Sequence, residues 1–277
     1  MRDNHEGTKT RRKTEKKNIP PLRASSFHLG RLRHNVKPFR LHWFSRLRST
    51  NDHAALLRKR GELFAPAIVL TGHQLSGRGR GANSWWSGQG SLTVTFAFAI
   101  DQHLAPYHIP LIAGLAVRNA AAELTGNDEI QLKWPNDLLF NGRKLAGLLC
   151  ERVDNADLIG LGMNVNVNQR LIPKSLKQNI VSLSDIAGQS MEMTAVLSGV
   201  AKHLHRMLSH RDEQSFAAVV KEYDRHHALL GRRVVVEGTG EEHSISGICR
   251  GLDAMGRLLL KDRRIVHRIV AGHVRAV

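Results

Sequence analysis

Apolar runs separated by short polar breaks predict alternating strands and helices over the first half of the chain. Strands are predicted for FRLHWF, which begins at Phe39, for AIVL and for LTVTFAFAI. A helix over about residues 52–60 is predicted to follow an N-cap at Ser49, Thr50 or Asn51. Another helix is predicted within IPLIAGLAVRNAAAELTG, which Gly126 ends.

Further strand signals and two helices complete the larger predicted domain. The strand signals are EIQLKW, DLLF, KLAGLLCERV and DLIGLGMNVNV, and the short turn NGR separates the second from the third. They are typical of a hairpin followed by a further strand. Apolar residues at helical spacing predict helices at about 194–210 and 215–229. The pattern therefore predicts an α+β domain in which helices flank a mixed sheet.

From Gly231 onwards the pattern contains strand signals and no helix signal. The strand signals are RRVVVEG, HSISGICRGL, GRLLLK, RIVHRIV and HVRAV, with glycine and aspartate turns between them. A unit of this size has a marginal core of its own, so we expect a small SH3-like β-barrel docked on the larger domain. The expected organisation is a leader at 1–38, the larger domain at 39–229 and the SH3-like domain at 230–277.

Composition indicates a globular protein with an unevenly distributed positive charge. The chain is 42% hydrophobic and carries a formal net charge of +17, about half of it in the first forty residues. Such a basic leader can bind nucleic acid non-specifically, but charge runs are more often solvated and disordered. No apolar run is long enough to cross a bilayer, and the N-terminus has no secretory apolar region. With only Cys150 and Cys249 present, we expect a reducing, cytoplasmic location.

A glycine-rich loop between two predicted strands is the first candidate for chemistry. Residues 76–90 read SGRGRGANSWWSGQG, and we call this segment the glycine loop. Arg78 and Arg80 can grip a phosphate or a carboxylate, and Trp85 and Trp86 can cover a flat ring. The loop has neither a Walker A ending nor a following helix. In isolation it fits an RNA-binding arginine-glycine segment equally well.

Two further stretches point to a ligand site beside this loop. The proline in KWPND predicts a turn at the rim of the sheet that leaves Asn136 and Asp137 facing a ligand. Lys144 follows on the next strand, with small residues beside it. In IGLGMNVN, two glycines interrupt an apolar strand, which favours close approach of a ligand to bare backbone over a simple bulge.

Taken together, these motifs resemble those of the biotin protein ligases. The order STN, Q-x-x-G-R-G-R, K-W-P-N-D, R-K-L-A-G and G-x-G-x-N-V is that family's order, and the resemblance spans about residues 39–277. It implies a class II synthetase-like catalytic domain with an SH3-like C-terminal domain. The implied reaction forms biotinyl-5′-AMP from biotin and ATP, then transfers biotin to a lysine of an acceptor protein.

The resemblance also implies roles for individual residues. Lys144, Arg78 and Arg80 would be catalytic, with Lys144 bridging the biotin carboxylate and the α-phosphate, and the arginines closing over the intermediate. The implied biotin-binding residues are Ser49, Thr50, Gln74, Gly77, Arg78, Lys144, Gly147, Gly160 and Gly162. The implied ATP-binding or adenylate-binding residues are Arg80, Trp85, which would pack over the folded loop, Asn136, Asp137 and Asn164, whereas Trp86 has no assigned role.

The expected cofactor and partners follow from the same resemblance. Mg²⁺ should accompany ATP, and Asp137 is the candidate carboxylate for it. The expected acceptor is the biotin carboxyl carrier domain of a biotin-dependent carboxylase, and a homodimer is possible. A winged helix-turn-helix does not fit into the residues that precede the ligase motifs, so we expect a monofunctional enzyme. The alternatives are a lipoate ligase, whose loop would read R-R-x-x-G-G-G, and a nucleic-acid-binding protein that uses the leader.

Overall fold

A seven-stranded mixed sheet forms the centre of the larger domain. The computed structural model describes residues 35–209, 216–238 and 244–277. The strands of the sheet lie in the order β1-β2-β5-β9-β8-β7-β6, and only β1 and β2 pair in parallel. Their bounds are β1 Arg40–Phe44, β2 Ala67–Thr71, β5 Ser91–Ala99, β6 Gln131–Lys133, β7 Asp137–Phe140, β8 Arg143–Val153 and β9 Ala156–Asn164. The remaining strands before the C-terminal sheet are β3 Gly77–Arg78 and β4 Ser84–Trp85, which form a short hairpin within the glycine loop.

Helices cover both faces of this sheet, as predicted. They are α1 Thr50–Lys59, α2 Ile109–Thr125, α3 Leu183–Ala187, α4 Met193–Ser209 and α5 Phe216–Arg225. The alternation along β2 separates the two faces, because Ile68 packs in the large core with α2 and α4, whereas Val69 packs with α1. Val36 and Phe39 also lie in the large core, and residues 1–34, most of the predicted leader, lie outside the described residues.

Local sequence signals fix several of the element ends. The hydroxyl of Ser49 caps α1 by accepting a hydrogen bond from the backbone N–H of Asp52 at 3.3 Å. Gly126 ends α2 in the left-handed conformation at φ 66°. Asn141 and Gly142 both have positive φ in the tight turn between β7 and β8, as a two-residue hairpin requires.

The structure differs from the predicted elements at three places. Strands β6 to β9 form one antiparallel meander, with β6 paired to β7, where the sequence pattern had predicted one hairpin and a further strand. Helix α5 ends four residues early because Leu132 donates to the carbonyl of His226 and accepts from the N–H of Ala228, both at 2.8 Å. This pairing with β6 outweighs the helical pattern. Helix α3, which follows a capping box at Ser182, was not predicted.

The C-terminal residues form a five-stranded antiparallel sheet, which confirms the predicted all-β unit. Its strands are β10 Arg233–Glu237, β11 Ile245–Leu252, β12 Leu258–Asp262, β13 Ile265–Ile269 and β14 His273–Ala276, in the order β13-β12-β11-β10-β14. The indole N–H of Trp134 donates to the carbonyl of Gly256 at 3.2 Å, and the N–H of Leu252 donates to Asp224 at 3.1 Å. The C-terminal sheet is therefore docked on the larger domain through the turn between β6 and β7 and through helix α5. Within the described ranges, none of the helices could cross a membrane.

Gly256 tests how much this docking stabilises the protein. A methyl group at Gly256, where φ is 79°, would lie 2.5 Å from Leu111 and 3.0 Å from Phe216. We expect Gly256→Ala to lower the free energy of unfolding by about 2 to 4 kcal/mol, since overpacking adds to the cost of the left-handed conformation. Gly61→Ala is the matched control, because Gly61 has φ 70° and open space around it. Equal losses in thermal unfolding for both variants would contradict the packing argument.

Candidate active site

One cavity of about 320 Å³ lies where the glycine loop faces the start of α1 and strands β7, β8 and β9. Every residue to which the sequence assigned a role borders this cavity, apart from Gly77. Gly77 lies directly beside it, since a methyl group there would be 2.6 Å from the side-chain nitrogen of Gln74. The lining residues that the sequence had named are Ser49, Thr50, Gln74, Arg78, Arg80, Trp85, Asn136, Asp137, Lys144, Gly147, Gly160, Gly162 and Asn164.

Three buried polar residues form one wall of the cavity. The backbone N–H of Thr50 donates to Oε1 of Gln74 at 3.0 Å, and Nε2 of Gln74 donates to Oγ of Ser87 at 3.2 Å. Ser49 lies beside them as the cap of α1. These contacts fix the orientation of the Gln74 amide. The wall therefore presents polar groups in a defined geometry, as small-molecule sites commonly do.

Glycines on neighbouring strands leave the floor of the cavity without side chains. Gly147 on β8 is the cross-strand partner of Gly162 on β9, and Gly160 lies two residues away on the same face. A methyl group at Gly162 would lie 2.3 Å from the indole of Trp85, which occupies this space. The indole nitrogen of Trp85 is buried and has no hydrogen-bond partner among the described residues. The structure thus places Trp85 against the bare backbone of β9.

Lys144 lies at the edge of this floor, held by contacts on both its side chain and its backbone. Its ammonium nitrogen is 2.8 Å from Oδ1 of Asp137 and 5.6 Å from the ring centroid of Trp85. Its backbone N–H donates to the carbonyl of Asn179 at 2.7 Å, and its carbonyl accepts from Val181 at 3.1 Å. The ammonium is therefore presented to the cavity on a fixed strand.

The two arginines of the glycine loop are held by different partners. Nη2 of Arg78 lies 2.7 Å from Glu151 and 2.8 Å from Asp52, and the hydrogen bond to Glu151 raises the pKa of the Arg78 guanidinium. Arg80 donates to the carbonyl of Gly272 at 3.3 Å, so it connects the loop with the C-terminal sheet. Burial lowers the pKa of Arg80, and Asp137 opposes this shift. Both arginines border the cavity together with Lys144.

Two asparagines complete the side of the cavity near KWPND. Nδ2 of Asn136 donates to the carbonyl of Leu148 at 2.6 Å, and Nδ2 of Asn164 donates to the carbonyl of Lys144 at 3.2 Å. Oδ1 of Asn164 is buried without a hydrogen-bond partner in the described part of the chain. A buried acceptor of this kind favours a ligand that donates a hydrogen bond to it.

Sequence reasoning missed several residues that border the cavity. Asn51 belongs to the quoted STN motif, but its buried position against Gly160 became evident only from the fold. The loop residues Leu176, Asn179 and Ile180 carry no periodic signal, and His273 reaches the site only through docking of the C-terminal sheet. The other missed lining residues include Asn83 and Ser84, and Trp86, which the sequence had named without a role, also borders the cavity.

Comparison with known proteins identifies the class to which this site belongs. Residues 43–168 match the Biotin/lipoate A/B protein ligase family. The chain is 28% identical over 233 residues to the bifunctional ligase/repressor BirA of Escherichia coli, which covers 82% of this chain and 70% of that protein. It is 29% identical over 223 residues to the biotin–[acetyl-CoA-carboxylase] ligase of Mycobacterium tuberculosis, and the match covers 76% of this chain and 79% of that protein.

A solved structure extends this similarity over both sheets. The biotin protein ligase from Aquifex aeolicus in complex with biotin and ATP superposes with a TM-score of 0.76 at 28% identity, covering 86% of this chain and 99% of that chain. The fold and the cavity thus define a ligase domain. The chain contains a domain of the biotin/lipoate A/B protein ligase family, and its relatives in sequence and structure are biotin protein ligases. The family predicted from the motifs is confirmed.

Proposed function

We propose that this protein is an ATP-dependent biotin protein ligase. It forms biotinyl-5′-AMP and pyrophosphate from biotin and ATP, and it then transfers biotin to one lysine of a biotin carboxyl carrier domain. The proposal is supported above all by one observation: Lys144, Arg78 and Arg80 border the same cavity within a domain of the ligase family. Cations gathered in this way suit a reaction in which a carboxylate and a phosphate, both anionic, must meet.

In the first step, a carboxylate oxygen of biotin bonds to the α-phosphorus of ATP, and pyrophosphate leaves with the electrons of the broken P–O bond. We assign Lys144 to the carboxylate and the α-phosphate because it is a cation on a fixed strand at the cavity floor. Its contact with Asp137 keeps the ammonium oriented before the anions arrive. Ser49, Thr50 and Gln74, with the bare backbone of Gly147, Gly160 and Gly162, would hold the biotin.

In the second step, the neutral amine of the acceptor lysine attacks the acyl carbon. The C–O bond to AMP breaks, AMP leaves, and the new amide nitrogen loses a proton. The intermediate must be kept from water until then, which is the role that we assign to the glycine loop with Arg78, Arg80 and Gly77. Trp85, Asn136, Asp137 and Asn164 are assigned to the nucleotide side, supported by their places around the cavity.

Mg²⁺ belongs to this proposal as the ion that accompanies ATP. Over the described residues, no group of three or more His, Cys, Asp or Glu side chains could hold a metal ion. In nucleotide sites, phosphate oxygens and water supply most ligands of Mg²⁺, and the protein adds one or two carboxylates. Asp137, the carboxylate that borders the cavity, is the candidate. Bound there, the ion would neutralise phosphate charge.

The proposed acceptor is the carrier domain of acetyl-CoA carboxylase or of a related biotin-dependent carboxylase. It is supported by the name of the relative from Mycobacterium tuberculosis.

We also propose a cytoplasmic location, in line with the unpaired thiols of Cys150 and Cys249. A homodimer formed by sheet extension would use an edge strand, and β1 lies at one edge of the large sheet.

Lys144→Ala is expected to reduce ATP-dependent biotin transfer at least about 10²-fold, because it removes the cation placed where charge develops. The measurement is mass added to a purified carrier domain on incubation with biotin and ATP. The protein should remain folded, since Lys144 is partly exposed at the cavity wall. Lys202→Ala, on the exposed face of α4, serves as the control. Transfer by Lys144→Ala near the parent rate would reject the role of this lysine.

Arg80→Gly is expected to release the intermediate about tenfold faster, because it removes the contact with Gly272 and the cation over the cavity. Escaped biotinyl-5′-AMP reacts with bystander lysines, which biotin blots of an added inert protein would detect. The control is Arg263→Gly, which removes an exposed arginine from a turn where φ is 48°. It should leave the release rate and the biotinylation of bystander lysines unchanged. Unchanged selectivity for the carrier lysine in Arg80→Gly would contradict the assignment.

Titration calorimetry with biotin and with lipoate separates the proposal from the alternative of a lipoate ligase. We expect heat from biotin binding and none from lipoate at equal concentration, because the loop reads GRGRG and lacks the R-R-x-x-G-G-G pattern. Tighter binding of lipoate than of biotin would reverse the assignment of substrate.

Thr50→Val should weaken biotin binding, since it removes a polar group from the cavity wall that contains Gln74.

A further inference from the structure

Two carboxylates from separate elements hold the guanidinium of Arg78. Nη2 of Arg78 donates to both oxygens of Glu151, at 3.0 and 2.7 Å, and lies 2.8 Å from Oδ1 of Asp52. Asp52 stands in the first turn of α1, and Glu151 lies near the end of β8. Neither carboxylate borders the cavity. The reaction as proposed above therefore gives neither of them a task.

A chain of hydrogen bonds continues from Glu151 into the core. Nδ2 of Asn51 donates to Oε2 of Glu151 at 2.7 Å and to the carbonyl of Leu149 at 3.0 Å. Oδ1 of Asn51 accepts from the hydroxyl of Thr95 at 2.6 Å. Asn51 is 3% exposed and Thr95 is fully buried. The Glu151 carboxylate is therefore aimed at Arg78 by a rigid, fully hydrogen-bonded support.

Space for this support exists only because Gly160 has no side chain. A methyl group at Gly160 would lie 2.3 Å from Oδ1 of Asn51. The same strand therefore serves the cavity floor and the support beneath Glu151. A surface ion pair without such backing commonly contributes little, because both side chains are mobile. Here one partner of Arg78 is held in place before the pair forms.

The glycine loop is also held by Arg80 at Gly272, by Ser87 at Gln74 and by Trp85 against Gly162, but none of these contacts reaches α1 or the Glu151 end of β8. Its own hairpin pairs only Gly77 with Trp85 and Arg78 with Ser84. Glycine-rich backbone loses much conformational entropy on ordering, so charged contacts to fixed neighbours decide where such a loop rests. Arg78 is the residue of the loop that reaches both α1 and β8.

We propose that Glu151, Asp52 and Asn51 are positioning residues that hold Arg78, and with it the glycine loop, closed over the cavity. We call these three residues the arginine anchor. By setting how firmly the loop is held, the anchor determines how long the acyl-adenylate stays bound before an acceptor lysine reaches it. This inference rests on the proposed function. It assigns the retention of the intermediate to two carboxylates outside the cavity, Asp52 and Glu151, and to Asn51, which supports Glu151.

The test measures release of biotinyl-5′-AMP from the full chain. The complex is formed from labelled biotin and ATP, separated from free ligand and chased with unlabelled biotinyl-5′-AMP. Glu151→Gln keeps the shape of the side chain but removes its charge, and release should become about 5- to 20-fold faster. Glu151→Asp should restore part of the retention. Glu222→Gln, which removes a carboxylate paired with Arg225 on α5, is the matched control and should release at the parent rate.

A double-mutant cycle separates an action through Arg78 from a general structural effect. Arg78→Gln alone should also accelerate release, and adding Glu151→Gln to it should cause no further acceleration. Equal acceleration by Glu151→Gln with and without Arg78 would overturn the proposal, as would a parent-like release rate in the single variant. If Glu151→Gln lowers the melting temperature by more than a few degrees, Asp52→Asn replaces it, because the Asp52 side chain is 54% exposed. A parent-like rate in Asp52→Asn then overturns the proposal as well.

The same experiment distinguishes failure of the anchor from failure of the proposed function. If the parent chain forms no biotinyl-5′-AMP, the proposed function is wrong and the anchor has no intermediate to retain. If the parent forms and transfers it while both carboxylate variants retain it equally well, only the anchor is wrong. Faster release with unchanged first-step formation in a single turnover is the result that supports both.

Discussion

The site depends on the pairing of one glycine with another across two strands. Gly147 lies opposite Gly162, and Gly160 lies two residues away from Gly162 on the same strand. Because side chains alternate along a strand, all three glycines face the same side and leave one patch of the sheet surface without side chains of its own. A slip of one residue would place Leu148 or Leu161 there and fill the cavity. The two-residue turn between β8 and β9, in which Asp154 has φ 49° and Val153 pairs with Ala156, fixes this register.

The cavity also concentrates positive charge, which would destabilise a site of this size if it were left unpaired. Each cation has a partner within the protein: Asp137 for Lys144, Glu151 and Asp52 for Arg78, and the carbonyl of Gly272 for Arg80. These contacts offset the repulsion between the cations and orient their N–H donors. An incoming phosphate therefore meets groups that already point in defined directions, which limits the entropic cost of binding.

Periodicity was sufficient to predict most elements, whereas features that depend on packing were not predictable. The strand β5 and the helix ending at Gly126 follow from apolar pattern and capping chemistry. The end of α5 does not, because Leu132 of a distant strand captures residues whose own pattern is helical. Lys144 and Arg78, which border the cavity, were proposed as site residues from residue type and motif order. Glu151 was missed because a single carboxylate in an apolar strand gives no signal until its neighbours are known.

The backbone hydrogen bonds at Leu132 have a mechanical consequence. Two residues between α5 and the C-terminal sheet, His226 and Ala228, form backbone hydrogen bonds with the N–H and the carbonyl of Leu132. Leu132 belongs to β6, the strand that leads into KWPND. The connection between the two sheets is therefore not a free hinge. A movement of the C-terminal sheet that pulls on residues 226–228 would either break those bonds or carry β6 with it. Strain applied to the end of the chain would thus reach the turn that holds Asn136.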